Sequence, residues 1–231
     1  MARQPLKVAE IVARDIVSSI ADGNSSPGDM LESEADMLVT FGVSRGTLRE
    51  ALRLLESQGL VQLKPGPRGG PVVGVPDPAY LGKTISLFLR MMGATYDDLC
   101  ECMILVAPRM TELAARNCDK EEARVALAPW LKGEERVDDA GFHRIVYGFS
   151  GNPVLAMFIT AIESLLLEHM LPAITRDFEH VVHDEHIELA RAIVAKQRHK
   201  SRRLMDVHAK KVADFCRSNN PAMVNQPVEW R

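Results

Sequence analysis

Apolar positions in the first third of the chain recur first at helical spacing and then at extended spacing. The pattern predicts a helix over residues 6–22 and a short second helix from Ser33, a good N-cap, to about Phe41. Two short β-like runs at 60–63 and 71–75 follow, separated by a turn rich in glycine and proline. The pattern therefore predicts helices followed by a β-hairpin.

Residues 41–56, between the second helix and the hairpin, are predicted to form a tight turn and a third helix. Gly42 can adopt the left-handed conformation that such a turn needs, and Ser44 is a suitable N-cap. Leucines form one face of this helix, and the other face carries three arginines four residues apart: Arg45, Arg49 and Arg53. A solvated surface would also suit such a row. The turn before it and the hairpin after it favour a recognition helix that enters the major groove of DNA.

The tip of the hairpin is a second candidate for DNA contact. Lys64 and Arg68 could enter a narrow, negatively charged minor groove, while Gly69 and Gly70 permit close approach of the backbone. A tip rich in glycine and proline can equally be a solvated turn. Because a helix-turn-helix precedes this hairpin, we interpret it as the wing of a winged helix.

The remainder of the chain is predicted to be helical, after a proline-containing linker at 77–79. We expect a mainly α protein with a winged helix-turn-helix domain and a small β-hairpin over 1–76. An all-helical bundle should follow over 80–217, and a tail over 218–231. The predicted helices of the bundle are 79–92, 96–117, 119–131, 136–149, 153–172, 175–197 and 199–217.

The charge of the whole chain gives no sign of nucleic-acid binding. Its formal net charge is −3, with 46% hydrophobic and 26% charged residues, as in an ordinary globular protein. Residues 45–68, however, hold five Lys/Arg against two Asp/Glu, a net charge of +3. Basic charge is therefore concentrated in the segment that contains the predicted recognition helix and wing.

Cysteine usage and hydropathy give an expectation for the compartment. The four cysteines form no CxxC pair, which favours reduced thiols. The first residues lack the apolar segment of a signal peptide, and no apolar run approaches the roughly 20 residues that cross a membrane. We therefore expect a cytoplasmic protein without a membrane partner.

The order of motifs resembles the N-terminal domain of GntR-family bacterial transcription regulators. The resemblance rests on Pro27–Glu34, Val43–Leu52 and Gly59–Val61 together with the glycine-rich wing. It implies a homodimer that binds double-stranded operator DNA. The residues expected to contact DNA are Ser44, Arg45, Thr47, Arg49, Lys64, Arg68, Gly69 and Gly70. The family usually has arginine where this chain has Ala35, so one phosphate or base contact should be missing.

Within the predicted bundle, Asp139 and His143 place a carboxylate and an imidazole one helical turn apart, so that they can share an ion. His186 and His208 lie on the last two predicted helices. Taken alone, Asp139 and His143 fit an ion pair as well as a metal site, and His186 fits a surface histidine. The residues by themselves leave these alternatives open.

The order of these residues resembles the helical ligand domain, the FCD domain, of the FadR-like branch of the GntR family. In many members of that branch, one Asp and three His bind a divalent ion, often zinc or nickel. The resemblance therefore implies a metal site formed by Asp139, His143, His186 and His208. Three imidazoles and one carboxylate suit zinc, nickel or a similar ion.

The same resemblance indicates where an effector would bind. Many relatives hold an organic-acid carboxylate with an arginine followed four residues later by a glutamate, and the matching positions here are Met103 and Ala107. Arg109 lies six residues beyond Met103 and so points elsewhere on a helix. We expect a pocket that is more apolar than usual, or one that holds a carboxylate mainly through the metal.

Together these features predict a metabolite-responsive transcription regulator, expected to be a repressor, that binds a pseudo-palindromic operator as a dimer. Its effector is expected to be a small organic acid next to the divalent metal. Two alternatives remain: a metal-dependent enzyme, in which an open ion position activates water, and a sensor of the metal itself. The chain contains no His-Glu-x-x-His motif, which makes the enzyme the weaker alternative.

Overall fold

The computed structural model describes residues 7–23, 25–66, 69–75, 77–134, 139–170 and 176–230. The chain folds into two compact units, one ending at Tyr80 and the other beginning at Leu81. Each unit has its own hydrophobic core. The linker predicted at 77–79 lies next to this boundary, where the structure has the start of a helix.

The described part of the N-terminal unit contains three helices followed by an antiparallel hairpin. These elements are α1 (Val8–Asp22), α2 (Glu34–Phe41), α3 (Arg45–Ser57), β1 (Val61–Lys64) and β2 (Gly70–Val73). The strands pair in a register that runs from Val61↔Val73 to Lys64↔Gly70. The predicted winged helix-turn-helix with a small hairpin is therefore confirmed.

Local capping explains where α2 ends and α3 begins. The Ser33 hydroxyl accepts a hydrogen bond from the Asp36 N–H at 3.2 Å, which caps α2. Gly42 then adopts φ 61° and ψ 34°, the left-handed region that glycine enters without steric cost. Ser44 caps α3 in the same way as Ser33 caps α2. The chain thus changes from one helix to the next within three residues.

The leucine face of α3 packs against α1 and fixes the orientation of the recognition helix. Residues buried in this core include Val12, Ile16, Leu48, Leu52 and Leu55. Full burial of one leucine side chain contributes about 1.5–3 kcal/mol. Because this face is held inside, the arginine face of α3 is left in solvent.

A third extended segment pairs with β2, which the sequence pattern did not predict. The backbone of residues 28–31 shares three hydrogen bonds with β2, each at 2.9 Å. Met30 lies opposite Val72 as a single bridge. The pairing is too short to produce a period-two pattern in the sequence, and it ties the base of the wing to the segment before α2.

The described elements of the C-terminal unit are helices, apart from a single extended bridge between Thr95 and Pro227, which confirms the predicted bundle. The helices are α4 (Pro78–Met92, which begins before the boundary), α5 (Tyr96–Asn117), α6 (Lys120–Ala126), α7 (Ala128–Lys132), α8 (Asp139–Gly148), α9 (Pro153–Met170), α10 (Arg176–Val194), α11 (Arg198–Asn219) and α12 (Pro221–Val224). The central helix is α5, which packs against α8, α9, α10 and α11. None of the described helices is long and apolar enough to cross a membrane.

The helix predicted over 119–131 is interrupted, so that prediction is corrected. It forms two short helices, because α6 ends at Ala126 and α7 starts again at Ala128 after Leu127. Pro129 lies in the first turn of α7, where its missing N–H breaks no helical hydrogen bond.

The tail predicted over 218–231 is also corrected. Helix α11 continues into this segment, α12 follows, and Met223, Val224 and Val228 are buried in the core of the unit. The Val228 N–H donates a hydrogen bond to the Ala94 carbonyl at 2.8 Å. Helix α12 packs on α11 and α5, and Val228 pairs with a residue more than a hundred positions earlier, so a local sequence pattern cannot reveal these contacts.

Candidate DNA interface and metal centre

The first turn of α3 presents residues predicted to contact DNA. The Ser44 hydroxyl accepts a hydrogen bond from the Thr47 N–H at 3.2 Å and lies 2.9 Å from the Thr47 hydroxyl. Arg45 and Arg49 are exposed on the same helix. Free N–H groups and the positive end of a helix favour phosphate, and arginine suits phosphate or guanine. The exposed end of α3 therefore has the chemistry of a DNA-reading element.

Arg49 makes one ion pair, which would have to break before the guanidinium could bind DNA. Its Nε lies 3.6 Å from Oε2 of Glu34 on α2, and both side chains are largely in solvent. Exposed pairs of this kind contribute only about 0–1 kcal/mol. Arg49 can therefore leave Glu34 for a phosphate or a base at little cost.

The structure describes the two strands at the base of the wing. Lys64 is exposed at the end of β1, opposite Gly70 at the start of β2. A Cβ at Gly69 would lie 2.1 Å from the Lys64 carbonyl oxygen, so the turn requires glycine there. Arg68 lies outside the described residues. The DNA contacts assigned to the wing and to α3 stay predictions.

Three of the four predicted metal ligands come together in the C-terminal unit. His143 on α8, His186 on α10 and His208 on α11 each offer a ligand atom within 4.8 Å of the other two. Nε2 of His186 is 3.0 Å from Nε2 of His143. His186 and His208 are buried, and His143 is partly buried. Asp139 is the first residue of α8, one turn before His143, and its side chain is outside what the structure describes.

Carboxylates hold two of the three imidazoles. Glu163, buried on α9, contacts Nδ1 of His143, and Oε2 of Glu185 lies 2.8 Å from Nδ1 of His208. The other oxygen of Glu185 accepts a hydrogen bond from Lys211. A histidine that donates Nδ1–H to a carboxylate keeps its lone pair on Nε2 and becomes a better ligand. Both contacts therefore leave the Nε2 lone pair of His143 and of His208 available to bind an ion.

An aromatic ring orients the third imidazole. Phe142 stacks on His186, with ring centroids 4.3 Å apart and 16° between the ring planes. Trp130 in turn packs edge-on against Phe142 at 5.1 Å. Two adjacent residues of α8 thus contribute to the cluster: His143 offers a ligand atom, and Phe142 holds the ring of His186 in place.

The surroundings of His208 favour its neutral form. Burial lowers the pKa of His208 and outweighs the hydrogen bond to Glu185, which raises it, while charge on His143 would lower it further. Burial also raises the pKa of Glu185, but the hydrogen bonds of Glu185 with His208 and Lys211 lower it by more. The pKa of Glu185 therefore lies below its ordinary value. A neutral imidazole beside an ionised carboxylate is the pairing that metal-binding histidines use.

This donor set fits a divalent transition metal. Three imidazole nitrogens are a combination that zinc and nickel accept, and one carboxylate, predicted from Asp139, would complete four ligands. The buried Glu163 and the ionised Glu185 add negative charge next to the cluster, which would balance a divalent cation. The cluster therefore has both the ligand atoms and the surrounding charge that an ion requires.

The three residues expected at the effector pocket are not brought to one place. Met103 and Ala107 are buried in the core of the unit. Arg109 is exposed, and its guanidinium lies 2.7 Å from Glu112, which also pairs with arginines of α11. Arg109 thus belongs to an ion-pair cluster between α5 and α11, as its helical position indicated. A pocket role for Met103 or Ala107 stays a prediction.

Three residues at the histidine cluster were not predicted: Glu163, Glu185 and Tyr147. Glu163 and Glu185 give no sequence signal of this role, because their contacts depend on how α9, α10 and α11 pack. Tyr147 follows His143 by one helical turn, and that spacing could have revealed it. Its side chain is fully buried, with a ring centroid 5.8 Å from that of His143.

Fold and site together define the class: a winged-helix DNA-binding regulator with a separate helical domain suited to a metal. Residues 8–69 match the family described as bacterial regulatory proteins, gntR family, and residues 98–211 match the FCD domain. The chain belongs to the GntR family of transcription regulators and carries an FCD domain.

Similar proteins agree with this assignment. The chain is 26% identical to the HTH-type transcriptional repressor NanR of Klebsiella aerogenes, over 94% of this chain and 90% of NanR. It is 32% identical to the HTH-type transcriptional regulator LutR of Bacillus subtilis, over 65% of this chain and 72% of LutR. A solved GntR structure from Streptococcus agalactiae shares the fold with a TM-score of 0.68 at 21% identity, covering 89% of this chain and 99% of that one. The family is one of regulators and not of enzymes.

Proposed function

We propose that the protein is a repressor that binds a pseudo-palindromic operator as a homodimer and changes its DNA affinity when a small organic acid binds next to a metal ion. The proposal is carried by the convergence of His143, His186 and His208 within the FCD domain of a GntR-family chain. A DNA-reading unit joined to a unit that can hold a ligand is suited to control by a metabolite.

Operator binding is assigned to the exposed face of α3 and to the wing. Ser44, Thr47 and the first N–H groups of α3 suit phosphate, and Arg45 and Arg49 suit guanine edges or phosphate. The wing residues assigned to the minor groove are Lys64, Arg68, Gly69 and Gly70. The repressor mode is supported by the likeness to NanR of Klebsiella aerogenes, which is named a repressor.

A homodimer is proposed because one recognition helix reads only one half-site. Two copies of α3 related by a twofold axis would read half-sites roughly 34 Å, one turn of DNA, apart. Helices α4 and α9 expose apolar side chains that a second protomer would cover. They are Leu87, Phe88, Met91, Met92, Val154, Met157 and Phe158. Large apolar side chains exposed on two helices of one unit are consistent with an interface.

A divalent ion, zinc or nickel, is assigned to the three histidines, with Asp139 as the fourth ligand. When bound, the ion supplies a positive centre that attracts a carboxylate. Glu163 and Glu185 hold two of the imidazoles by Nδ1 and leave Nε2 for the ion. An organic acid that prefers one arrangement of the dimer would then shift DNA affinity, with a coupling of about 1–3 kcal/mol.

Operator DNA selected from a random pool by the full chain provides the test. Its affinity is measured with chelator, with zinc or nickel, and with the metal plus a panel of small organic acids. We expect one of the acids to change the Kd about fivefold or more in the metal-loaded protein. A response to the metal alone would identify the ion as the signal, and turnover of an acid would favour an enzyme. Failure to select any DNA would contradict the assignment of the operator-binding residues.

A further inference from the structure

Tyr147 is a buried tyrosine whose hydroxyl has no hydrogen-bond partner among the described residues. It lies on α8 one turn after His143, and the two ring centroids are 5.8 Å apart. Burial raises the pKa of Tyr147, and the nearby negative charge of Glu163 raises it further. Tyr147 therefore lies beside His143, at the edge of the histidine cluster.

A buried tyrosine hydroxyl in a native protein usually has a hydrogen-bond partner, since leaving it without one is unfavourable. Tyr96 of the same unit follows this rule, because its buried hydroxyl accepts a hydrogen bond from the Glu229 N–H at 3.2 Å. Tyr147 does not follow this rule, and it lies beside the three histidines that are suited to bind an ion. A hydroxyl in this position indicates a partner that the described residues do not supply.

We propose that Tyr147 donates a hydrogen bond to a small carboxylate bound at the histidine cluster and so selects ligands that carry an anionic oxygen there. The inference rests on the proposed metal site at His143, His186 and His208. Near a divalent cation, a neutral phenol acts as a donor toward anionic oxygen. A carboxylate has two oxygens, so it can satisfy both the positive centre and the hydroxyl. Tyr147 is thus a ligand-binding residue and not a metal ligand.

Cobalt-loaded full-length protein provides the test, because the visible absorption of Co²⁺ reports both metal binding and the arrival of a further ligand. Wild type and Tyr147→Phe are titrated first with Co²⁺ and then with acetate and lactate as probe carboxylates. The substitution removes one oxygen and keeps the ring. We expect Co²⁺ affinity to stay within about twofold and the Kd for at least one of the two acids to rise about fivefold to tenfold.

Tyr96→Phe is the matched control, since it removes a satisfied hydroxyl from a buried tyrosine in the same unit. We expect this variant to bind Co²⁺ and both acids like wild type. In chelator-treated protein, Tyr96→Phe should lower the Tm because it breaks a hydrogen bond. Tyr147→Phe should leave the Tm unchanged or raise it, since the hydroxyl it removes has no partner among the described residues.

Two results would overturn the role of Tyr147 and leave the metal site standing. The first is equal acid affinity in Tyr147→Phe and wild type, together with a Tm loss like that of Tyr96→Phe, which would mean that a trapped water satisfies the hydroxyl. The second is Co²⁺ binding without any spectral response of the wild type to either acid. Failure of the wild type to bind Co²⁺ would instead remove the proposed metal site, and the inference with it.

Discussion

At the residue scale, the carboxylates of Glu163 and Glu185 orient two of the three histidines. Glu163 contacts Nδ1 of His143 from α9, and Glu163→Gln would keep the size of the side chain while removing its charge. We expect the variant to bind zinc about 10- to 100-fold more weakly, as loss of a carboxylate behind a metal-binding histidine usually causes. Isothermal titration calorimetry measures the change. Glu188→Gln, on the exposed side of α10, is the control and should bind zinc like wild type. Unchanged zinc affinity in Glu163→Gln would contradict the role assigned to Glu163.

The ion-pair cluster around Glu112 gives a pH-dependent prediction. The hydrogen bond from Arg109, aided by the charges of Arg202 and Arg198, holds the pKa of Glu112 below its ordinary value of 4.5. Because the folded-state pKa is the lower one, ionised Glu112 stabilises the fold above the unfolded-state pKa. That contribution is lost as the pH falls through the folded-state pKa.

Glu112→Gln should therefore lower the free energy of unfolding by about 1 kcal/mol at about pH 7, a modest value because the three arginines are half exposed. The difference from wild type should shrink toward about pH 3. Urea denaturation at the two pH values measures it. A difference of the same size at both would show that the charge of Glu112 is not what stabilises the cluster.

Single residues could be predicted where their role leaves a local or a family signal. The resemblance to the FadR-like branch supplied His143, His186 and His208, and the structure brings them together from three separate helices. Helical periodicity alone could not have predicted that these histidines lie together, because it carries no information about which helices contact each other. Glu163 was missed for the same reason: its contact with His143 exists only once α9 has packed on α8.

At the scale of elements, α3 carries the DNA-binding prediction. Arg45→Ala and Arg49→Ala should each weaken operator binding by about 1–3 kcal/mol if the arginine reads a base. If it contacts phosphate, each should instead lower the slope of log K against log salt by about one. Fluorescence anisotropy over a range of salt concentrations distinguishes the two cases. Arg14→Ala, exposed on α1, is the control. Unchanged binding in both α3 variants would contradict the assignment of the recognition helix.

The sequence predicted elements well where their ends are set locally. Ser33, Gly42 and Ser44 determine the end of α2 and the start of α3 through contacts within a few residues. The last residues of the chain could not be predicted in this way. Val228 is buried because it joins a core formed by residues far away in the sequence, whereas a short segment with two prolines carries the composition of a loose tail.

At the scale of the whole molecule, the chain joins two units with different tasks. The winged helix can bind DNA through exposed basic residues, although the whole chain has a net charge of −3. The FCD domain buries two of its three histidines and partly buries the third, so an ion and a small ligand would be bound there strongly by charge. Regulation then requires that a ligand bound in the second unit alters DNA affinity in the first.

The measurement that tests this coupling most directly is operator affinity of metal-loaded wild type and His186→Gln, each with and without an active organic acid. We expect the acid to change the Kd of the wild type about fivefold or more. His186→Gln, checked for native helicity by circular dichroism, should bind the operator like acid-free wild type and show no response to the acid. An equal acid response in wild type and His186→Gln would contradict control through the histidine cluster.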